Sequence, residues 1–215
     1  MGKFIYNLLK ILLLLTLPFV VLVRGAVHAH EHYTSSPWIA LFGGMLIAAF
    51  IVFVYLSFAY GKVTGKLGDS DNLMRRSALA FILVLGYGIY GLIFISGANT
   101  KHDDVRKEYT ELHPILRVSI STIIFLDNDL IITDASRVKE DYKKMGIKTK
   151  RHSLHYKQSS GFVHAVDLRT NHRSEVRNFL LKSYFKLMGF NTLRHGGTGD
   201  HLHVSISSRD RPRGI

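Results

Sequence analysis

Three long apolar stretches occupy the first half of the chain, and shorter helical and strand-like patterns follow in the second half. The second and third stretches, residues 38–60 and 78–95, have the length of about twenty apolar residues that a membrane-spanning helix needs. The first stretch, residues 5–23, is interrupted by a lysine and a proline. The pattern therefore predicts two membrane-spanning helices behind an N-terminal segment, residues 1–29, that is either a signal peptide or a first span.

The two interpretations of residues 1–29 differ in how much of the first apolar stretch forms the membrane helix. Its uninterrupted part, residues 11–23, is short for a full span and has the length of a signal-peptide core. The tripeptide Val27-His28-Ala29 resembles a small-x-small cleavage site. A retained helix that uses residues 4–23 is the alternative, and the sequence leaves both open.

The positions of the basic residues predict the orientation of the spans. The loop between the second and third stretches, residues 61–77, contains Lys62, Lys66, Arg75 and Arg76. Basic loops stay preferentially in the cytoplasm, so residues 37–97 are predicted to form a two-span hairpin with a cytoplasmic loop. Residues 98–215 are then predicted to lie outside the cytoplasmic membrane.

The second half of the chain is predicted to fold as a small α+β domain with an antiparallel sheet, because helical and strand-like segments follow one another without a regular βαβ repeat. Predicted helices cover residues 112–125, 138–144 and 175–188, and predicted strands cover residues 129–133, 163–168 and 201–206. The clearest amphipathic helix is the third, whose apolar residues at helical spacing are Val176, Phe179, Leu180, Tyr184 and Leu187.

Composition restricts the chemistry that is available to this domain. The chain has no cysteine and 12 histidines, so any metal must be held by histidines and carboxylates. After residue 100 there are 21 Lys and Arg against 13 Asp and Glu, which suits an anionic partner such as peptidoglycan, wall polymers or phospholipid headgroups. Nucleic acid is not expected as a partner, because the sequence lacks a helix-turn-helix, an aromatic RNA-binding strand and a Cys/His finger.

Two polar clusters supply candidate ligands for a metal. The first contains His155 and, after a turn-like segment, Asp167; the second contains Asp200, His201 and His203. In a strand, His201 and His203 project from the same face. A catalytic zinc takes three protein ligands and keeps one position for water, and His155, Asp167 and His203 form such a set. The remaining carboxylate, Asp200, could take a proton from the zinc-bound water.

At these residues the sequence resembles the LAS-type zinc metallopeptidases, which include D-Ala-D-Ala carboxypeptidases and dipeptidases, murein endopeptidases and phage endolysins, with the Hedgehog signalling domain as a relative. Their pattern is S-x-H-x-x-G-x-A-x-D, followed after a helix by H-x-H. Its lettered positions are matched in order by Ser153, His155, Gly161, Ala165, Asp167, His201 and His203. The resemblance covers about residues 112–206 and implies Zn²⁺ on His155, Asp167 and His203.

The resemblance also implies catalytic roles. Where family members carry a Glu three residues before the last ligand, that Glu is the catalytic base, and Asp200 occupies this position here. His201 would line the site and help to hold the water or the transition state. Residues 131–137 resemble the strand and "SGYR" turn of the family, whose arginine stabilises the developing oxyanion, and Arg137 is the matching residue.

Together with the predicted topology, the resemblance implies a membrane-anchored zinc peptidase that hydrolyses D-amino-acid-containing bonds in peptidoglycan stem peptides. It would sit in the inner membrane of a bacterium, with residues 98–215 in the periplasm as the peptidase domain. The alternative is a non-catalytic module, with or without zinc, that binds wall peptide or another membrane protein.

Two features depart from the family pattern. His155 and Asp167 are twelve residues apart rather than seven, and Asp200 replaces the usual Glu. If His155 and Asp167 lie on adjacent hairpin strands, the longer turn need not move them apart. The extra residues could instead reshape the substrate cleft or mark a degenerate site, and His164 is a possible substitute ligand. Ser153 is predicted to be structural, because no Ser-His-Asp order with an oxyanion glycine motif is present.

The remaining histidines are not assigned to the metal. Histidines alternate with other residues between the first and second apolar stretches, at His28, His30 and His32. This segment either is extended and captures a metal on one side, or forms a polar loop. The residues expected on the surface are His152, His172 and His195, of which the last could reach the site through a mobile loop.

Overall fold

The chain folds into three long apolar helices followed by a small α+β domain. The computed structural model describes residues 2–34, 36–65, 70–146, 148–149, 152–197 and 199–207. The helices are α1 (Gly2–His32), α2 (Pro37–Thr64), α3 (Ser70–Ile93), α4 (Asp103–Glu108), α5 (Pro114–Leu126), α6 (Lys139–Lys144) and α7 (Glu175–Met188). The strands are β1 (Ile132–Asp134), β2 (Ala165–Arg169), β3 (Asn191–His195) and β4 (His201–Ser205).

The first three helices are each long and apolar enough to cross a membrane. This confirms the prediction of two or three spans as far as length and composition go, whereas the kind of membrane and the orientation remain predictions. Helix α1 is continuous through residues 27–29, where the cleavage site of a signal peptide is predicted. It packs closely on α2, since a Cβ at Gly44 would overlap the carbonyl oxygen of Leu22.

The four strands form one antiparallel sheet in the order β1-β2-β4-β3, which confirms the α+β prediction. Helices α5, α6 and α7 appear at the predicted places, within one or two residues at their ends. Strand β3 was not predicted. Its side chains are all exposed or half-exposed, so it lacks the alternation of apolar residues that marks a half-buried strand, and it forms by pairing with β4.

Helix α5 joins the domain to the long helices. Most of its residues are buried, and it packs against α1, α2 and α3. A Cβ at Gly91 of α3 would lie 3.3 Å from the Cα of Val118, so the glycine permits a close approach of the two helices. The Tyr109 hydroxyl lies 2.7 Å from the carbonyl oxygen of Gly91, to which it donates, and Arg117 donates to the carbonyl of Leu92 at 2.8 Å. These bonds fix the domain against one end of the helix bundle.

Helix α7 has the predicted bounds but not the predicted packing. The Ser174 side chain accepts a hydrogen bond from the N–H of Arg177 at its start, and Gly189 ends it with a φ of 96°. The core-facing residues are Asn178, Leu181, Phe185 and Met188, while most of the amphipathic set identified in the sequence is exposed: Val176, Phe179, Leu180 and Leu187. Both sides of α7 are apolar, and periodicity alone cannot decide which side meets the core.

Candidate metal centre

Pairing of β2 with β4 brings two of the predicted ligands together. Asp167 of β2 lies directly opposite His203 of β4 in the antiparallel register. His155 approaches from the loop before β2, and its backbone carbonyl accepts a hydrogen bond from the N–H of Arg137 at 2.9 Å. The described residues contain one group of three side chains that could hold a metal ion, and it is the predicted set of His155, Asp167 and His203.

The three donor atoms form a nearly equilateral triangle. His155 Nε2 lies 3.3 Å from Asp167 Oδ1 and 3.2 Å from His203 Nδ1, and His203 Nδ1 lies 2.9 Å from Asp167 Oδ1. Ligand atoms at the corners of a tetrahedron, each about 2.05 Å from zinc, are about 3.3 Å apart. The arrangement therefore fits a tetrahedral ion with one further position for water or substrate.

The groups around the ligands hold them in the orientation that a metal requires. His155 Nδ1 lies 2.7 Å from the carbonyl oxygen of Ala135, which can only accept, so Nδ1 carries the proton and the Nε2 lone pair faces the other ligands. Arg137 donates to the second oxygen of Asp167 at 2.5 Å, which leaves Oδ1 for the metal. His155 and Asp167 are buried, at 3% and 2% exposed, so their side chains have little freedom to separate.

The charge of Asp167 is stabilised despite its burial. Burial alone would raise the pKa of this carboxyl, but the adjacent side chains of His155 and His203 and the charge of Arg137 lower it well below the usual range. The neighbouring Asp134 differs, because burial raises its pKa and the charge of Arg137 only partly opposes this. Asp167 is thus held as an anion, which is the form that binds a cation.

Arg137 lies at the site, where its guanidinium is engaged in two ion pairs. Its Nε lies 3.1 Å from Asp134 Oδ2 and its Nη2 lies 2.5 Å from Asp167 Oδ2. The guanidinium therefore braces a predicted metal ligand, and the role implied by the resemblance, stabilisation of an oxyanion, remains a prediction.

Asp200, the predicted base, is held by an ion pair. Arg194 donates to both of its oxygens, from Nε at 3.0 Å and from Nη2 at 2.7 Å, and the Thr170 hydroxyl donates to it at 2.7 Å. The hydrogen bonds from Arg194 lower the pKa of Asp200 to about 2, which makes this carboxylate a weak base.

His201 is better placed than Asp200 to accept a proton near the ligands. Its Nδ1 lies 2.6 Å from the carbonyl oxygen of Gly199 and therefore carries a proton, and its Nε2 lies 3.7 Å from Asp167 Oδ2. The ring stacks on His195, with 5.0 Å between centroids. His195 is thus brought beside the site by the pairing of β3 with β4, and not by a mobile loop.

An open cavity of about 560 Å³ lies beside the ligand triangle. Asp167, Arg137 and His201 reach its wall, as do Lys101 and Arg169. The two basic residues were not singled out in the sequence, because nothing in their local surroundings distinguishes them from other surface cations. Their placement here suits a substrate that carries a carboxylate.

The residues between His155 and Asp167 close a turn, so the enlarged spacing does not separate the ligands. The Gln158 N–H donates to the carbonyl of Phe162, and the Gly161 N–H donates to that of Gln158, each at 2.9 Å. The buried Gln158 side chain donates to the carbonyls of Ser153 and Tyr156 at 3.1 and 2.6 Å. The extra residues are therefore an ordered turn outside the triangle.

Ser153 has the structural role predicted for it. It is buried, accepts a hydrogen bond from the Tyr142 hydroxyl at 2.6 Å, and accepts another from the N–H of His155 at 3.3 Å. These bonds position the loop that carries the first ligand.

His164 is not near the ligand triangle. Its ring belongs to a separate buried group with His30 and His113, in which the centroid of His113 lies 4.8 Å from that of His164 and 4.7 Å from that of His30. The segment with alternating histidines is neither extended nor a loop, because α1 continues through it. Helical geometry places His28 and His32 on one side, with ring centroids 4.5 Å apart, and turns His30 toward the domain.

A comparison of the chain with models of protein families, with curated proteins and with solved structures gives no match. No family is therefore assigned, and the function has to be inferred from the residues of the site.

Proposed function

We propose that this chain is a membrane-anchored zinc peptidase that hydrolyses D-amino-acid-containing bonds of peptidoglycan stem peptides on the periplasmic side of a bacterial inner membrane. The observation that carries the proposal is the triangle of donor atoms from His155, Asp167 and His203, with edges of 2.9–3.3 Å, beside an open cavity. The sequence motifs that resemble the LAS-type peptidases support the reaction class.

Zinc is the metal that best suits this site. Two imidazole nitrogens and one carboxylate oxygen in tetrahedral arrangement are a common catalytic zinc set, whereas Ca²⁺ and Mg²⁺ prefer six or more oxygen ligands. When bound, the ion would supply an activated water and polarise the scissile carbonyl.

The chain's own residues supply the proton transfer and the binding of substrate. We assign the proton acceptor to His201, because its Nε2 faces the ligands, while Asp200 is held by Arg194 with a pKa of about 2. Arg137 would position Asp167, because it donates to Oδ2, the carboxylate oxygen that does not face the other two ligands. Lys101 and Arg169 would bind the carboxylate of a stem peptide in the cavity.

Cleavage of purified stem peptides by the full-length protein in detergent tests the proposal. We expect activity that is lost after chelation and restored by Zn²⁺. His201→Ala should abolish turnover while zinc remains bound, and His172→Ala, which alters another histidine of the same cavity, is the matched control. Absence of cleavage by the zinc-loaded wild type with every stem peptide would contradict it.

The second candidate is a binding module without catalysis. The ion pair between Asp200 and Arg194, which occupies the predicted base, is the observation that favours it. Stoichiometric zinc and tight binding of stem peptide, with no product formed over long incubation, would identify the chain as such a module.

A further inference from the structure

Helix α7 carries a second apolar face that the domain core does not use. Its exposed members are Val176, Phe179, Leu180 and Leu187, with relative exposures of 69%, 68%, 59% and 73%. Residues 176, 179, 180 and 187 lie on one side of the helix by their spacing, and the buried Leu181, Phe185 and Met188 lie on the other. Four large apolar side chains on one outward side mark a contact surface rather than scattered exposure.

Hydrogen bonds connect helix α7, through α5, to the long helix α3. The Tyr184 hydroxyl in the middle of α7 donates to the carbonyl of Ser119 in α5 at 2.8 Å, and Thr122 of α5 is hydrogen-bonded to Tyr87 of α3. Tyr87 precedes the end of α3 at Ile93 by six residues, which is about 9 Å along the helix axis. Helix α7 is thus linked, through α5, to a point inside a helix that can span a membrane.

The C-terminal end of α7 also lies against the bundle. A Cβ at Gly189 would overlap the Arg24 side chain of α1 and lie 3.0 Å from Val27. Because α7 packs on α1 at this end and on α5 through Tyr184, its outward face is turned away from both helices and from the domain core.

The end of α5 also carries exposed apolar residues. Phe125 and Leu126 are 63% and 78% exposed. The residue after them, Asp127, forms ion pairs with Arg173, which precedes α7, and with Arg177 in its first turn. The ion pairs place the end of α5 next to the start of α7, so exposed apolar residues occur on both sides of this junction.

Basic residues flank this surface. Lys182 and Lys186 lie on α7 between its two apolar faces, and Arg24 of α1 is close to its end. An apolar face with basic residues at its margin is typical of a helix that lies in the plane of a bilayer, where long basic side chains reach the phosphates.

We propose that the outward face of α7, together with the exposed end of α5, lies in the lipid interface of the membrane spanned by α1–α3. The partner is the phospholipid layer itself: acyl chains meet the apolar residues, and anionic headgroups meet the lysines. The domain then rests on the bilayer by a second contact, in addition to the covalent link through its helices. The inference does not depend on the proposed peptidase activity.

Fluorescence quenching by lipids tests this contact in the full-length chain. The only tryptophan is Trp38, so Trp38→Phe provides a dark background into which Phe179→Trp is introduced. The protein is reconstituted into vesicles of phosphatidylethanolamine and phosphatidylglycerol that carry bromine either near the headgroup or near the end of the acyl chain. The matched control is Val138→Trp in the same background, since Val138 is also exposed but lies beside α6.

We expect the indole introduced by Phe179→Trp to be quenched strongly by the shallow bromines and more weakly by the deep ones, because an interfacial helix enters the bilayer by only about 5–10 Å. The indole introduced by Val138→Trp should respond to aqueous iodide and not to brominated lipid. Adding Leu180→Asp to the Phe179→Trp variant should reduce the lipid quenching while the far-ultraviolet circular dichroism is unchanged.

Two results would overturn the inference. Quenching of the Phe179→Trp variant by iodide but not by either brominated lipid would place the face in water. The same variant could also be protected from both iodide and brominated lipid. If that protection is lost when the protein is diluted among more vesicles, a second copy of the chain covers the face.

Discussion

We expect Asp167→Ala to abolish tight zinc binding, because Asp167 contributes the only negative charge among the three candidate ligands. Its Oδ1 lies 2.9 Å from His203 Nδ1 and 3.3 Å from His155 Nε2, at the corner of the triangle that would face the ion. Without this carboxylate, a dication would be held by two neutral imidazoles in a buried site.

The size of the effect follows from the number of ligands. Tetrahedral zinc sites bind with about 10–16 kcal/mol, so one ligand of four accounts for roughly 3–4 kcal/mol. This corresponds to a rise of about 100- to 1,000-fold in Kd. Removing one partner of a buried ion pair also costs about 3–5 kcal/mol of folding free energy, and we expect the lower end because Arg137 keeps Asp134 as a partner.

The assay is competition for zinc between the full-length protein in detergent and a chromogenic chelator of known affinity. Asp200→Ala is the control, since it removes a carboxylate from the same cavity that is engaged by Arg194 rather than by the ligands. A Kd for Asp167→Ala within about tenfold of the wild type, or an equal loss in Asp200→Ala, would refute the assignment of the metal site.

Three further predictions concern the base, the substrate and the first helix. Because the pKa of Asp200 is about 2, a fall of kcat/KM that begins above pH 5 on acidification would come from another group. Asp200→Asn should therefore leave the acidic side of the pH profile unchanged. If the fall disappears in Asp200→Asn, Asp200 is the base after all. Lys101→Ala or Arg169→Ala should raise KM by about 10- to 100-fold for stem peptides with a free C-terminal carboxylate and not for amidated ones, and equal effects on both would contradict carboxylate binding. Gly44→Val should lower the free energy of unfolding by about 1–3 kcal/mol, because its side chain would overlap Leu22, whereas Gly43→Val, with no atom near its Cβ, should leave it unchanged. Equal free energies of unfolding for the two variants would mean that α1 does not pack on α2 in the mature protein, as after removal of a signal peptide.

The sequence predicted most of the helices because their signals are local. The end of α7 at Gly189 and the start of α5 at Pro114 are marked by the residues that favour such positions. The group that could hold a metal was also predictable, because a histidine pair at strand spacing and an acidic partner in a preceding strand follow a recognisable pattern. The sequence could not place His164, whose spacing from Asp167 is compatible with the site but whose ring lies with His30 and His113.

Partners of charged residues were not predictable, because they depend on which elements meet. Asp200 has the spacing of a catalytic base, yet β3 places Arg194 next to it. Arg137 has the position of an oxyanion-stabilising residue, yet the pairing of β1 with β2 brings its guanidinium to Asp167. The partners are 6 residues apart in the first pair and 30 in the second, and in both cases the pairing of strands, rather than a local sequence pattern, brings the charges together.

The sequence by itself determined the three apolar helices, the α+β character of the domain and the residues that could hold a metal, since each depends on spacing within a short segment. Only the tertiary structure decided which apolar side of α7 enters the core, that β3 completes the sheet, and that Lys101 and Arg169 share a cavity with Asp167. The physical reason is that burial and pairing are set by contacts between distant segments, and those contacts select among several local possibilities that the sequence leaves equivalent.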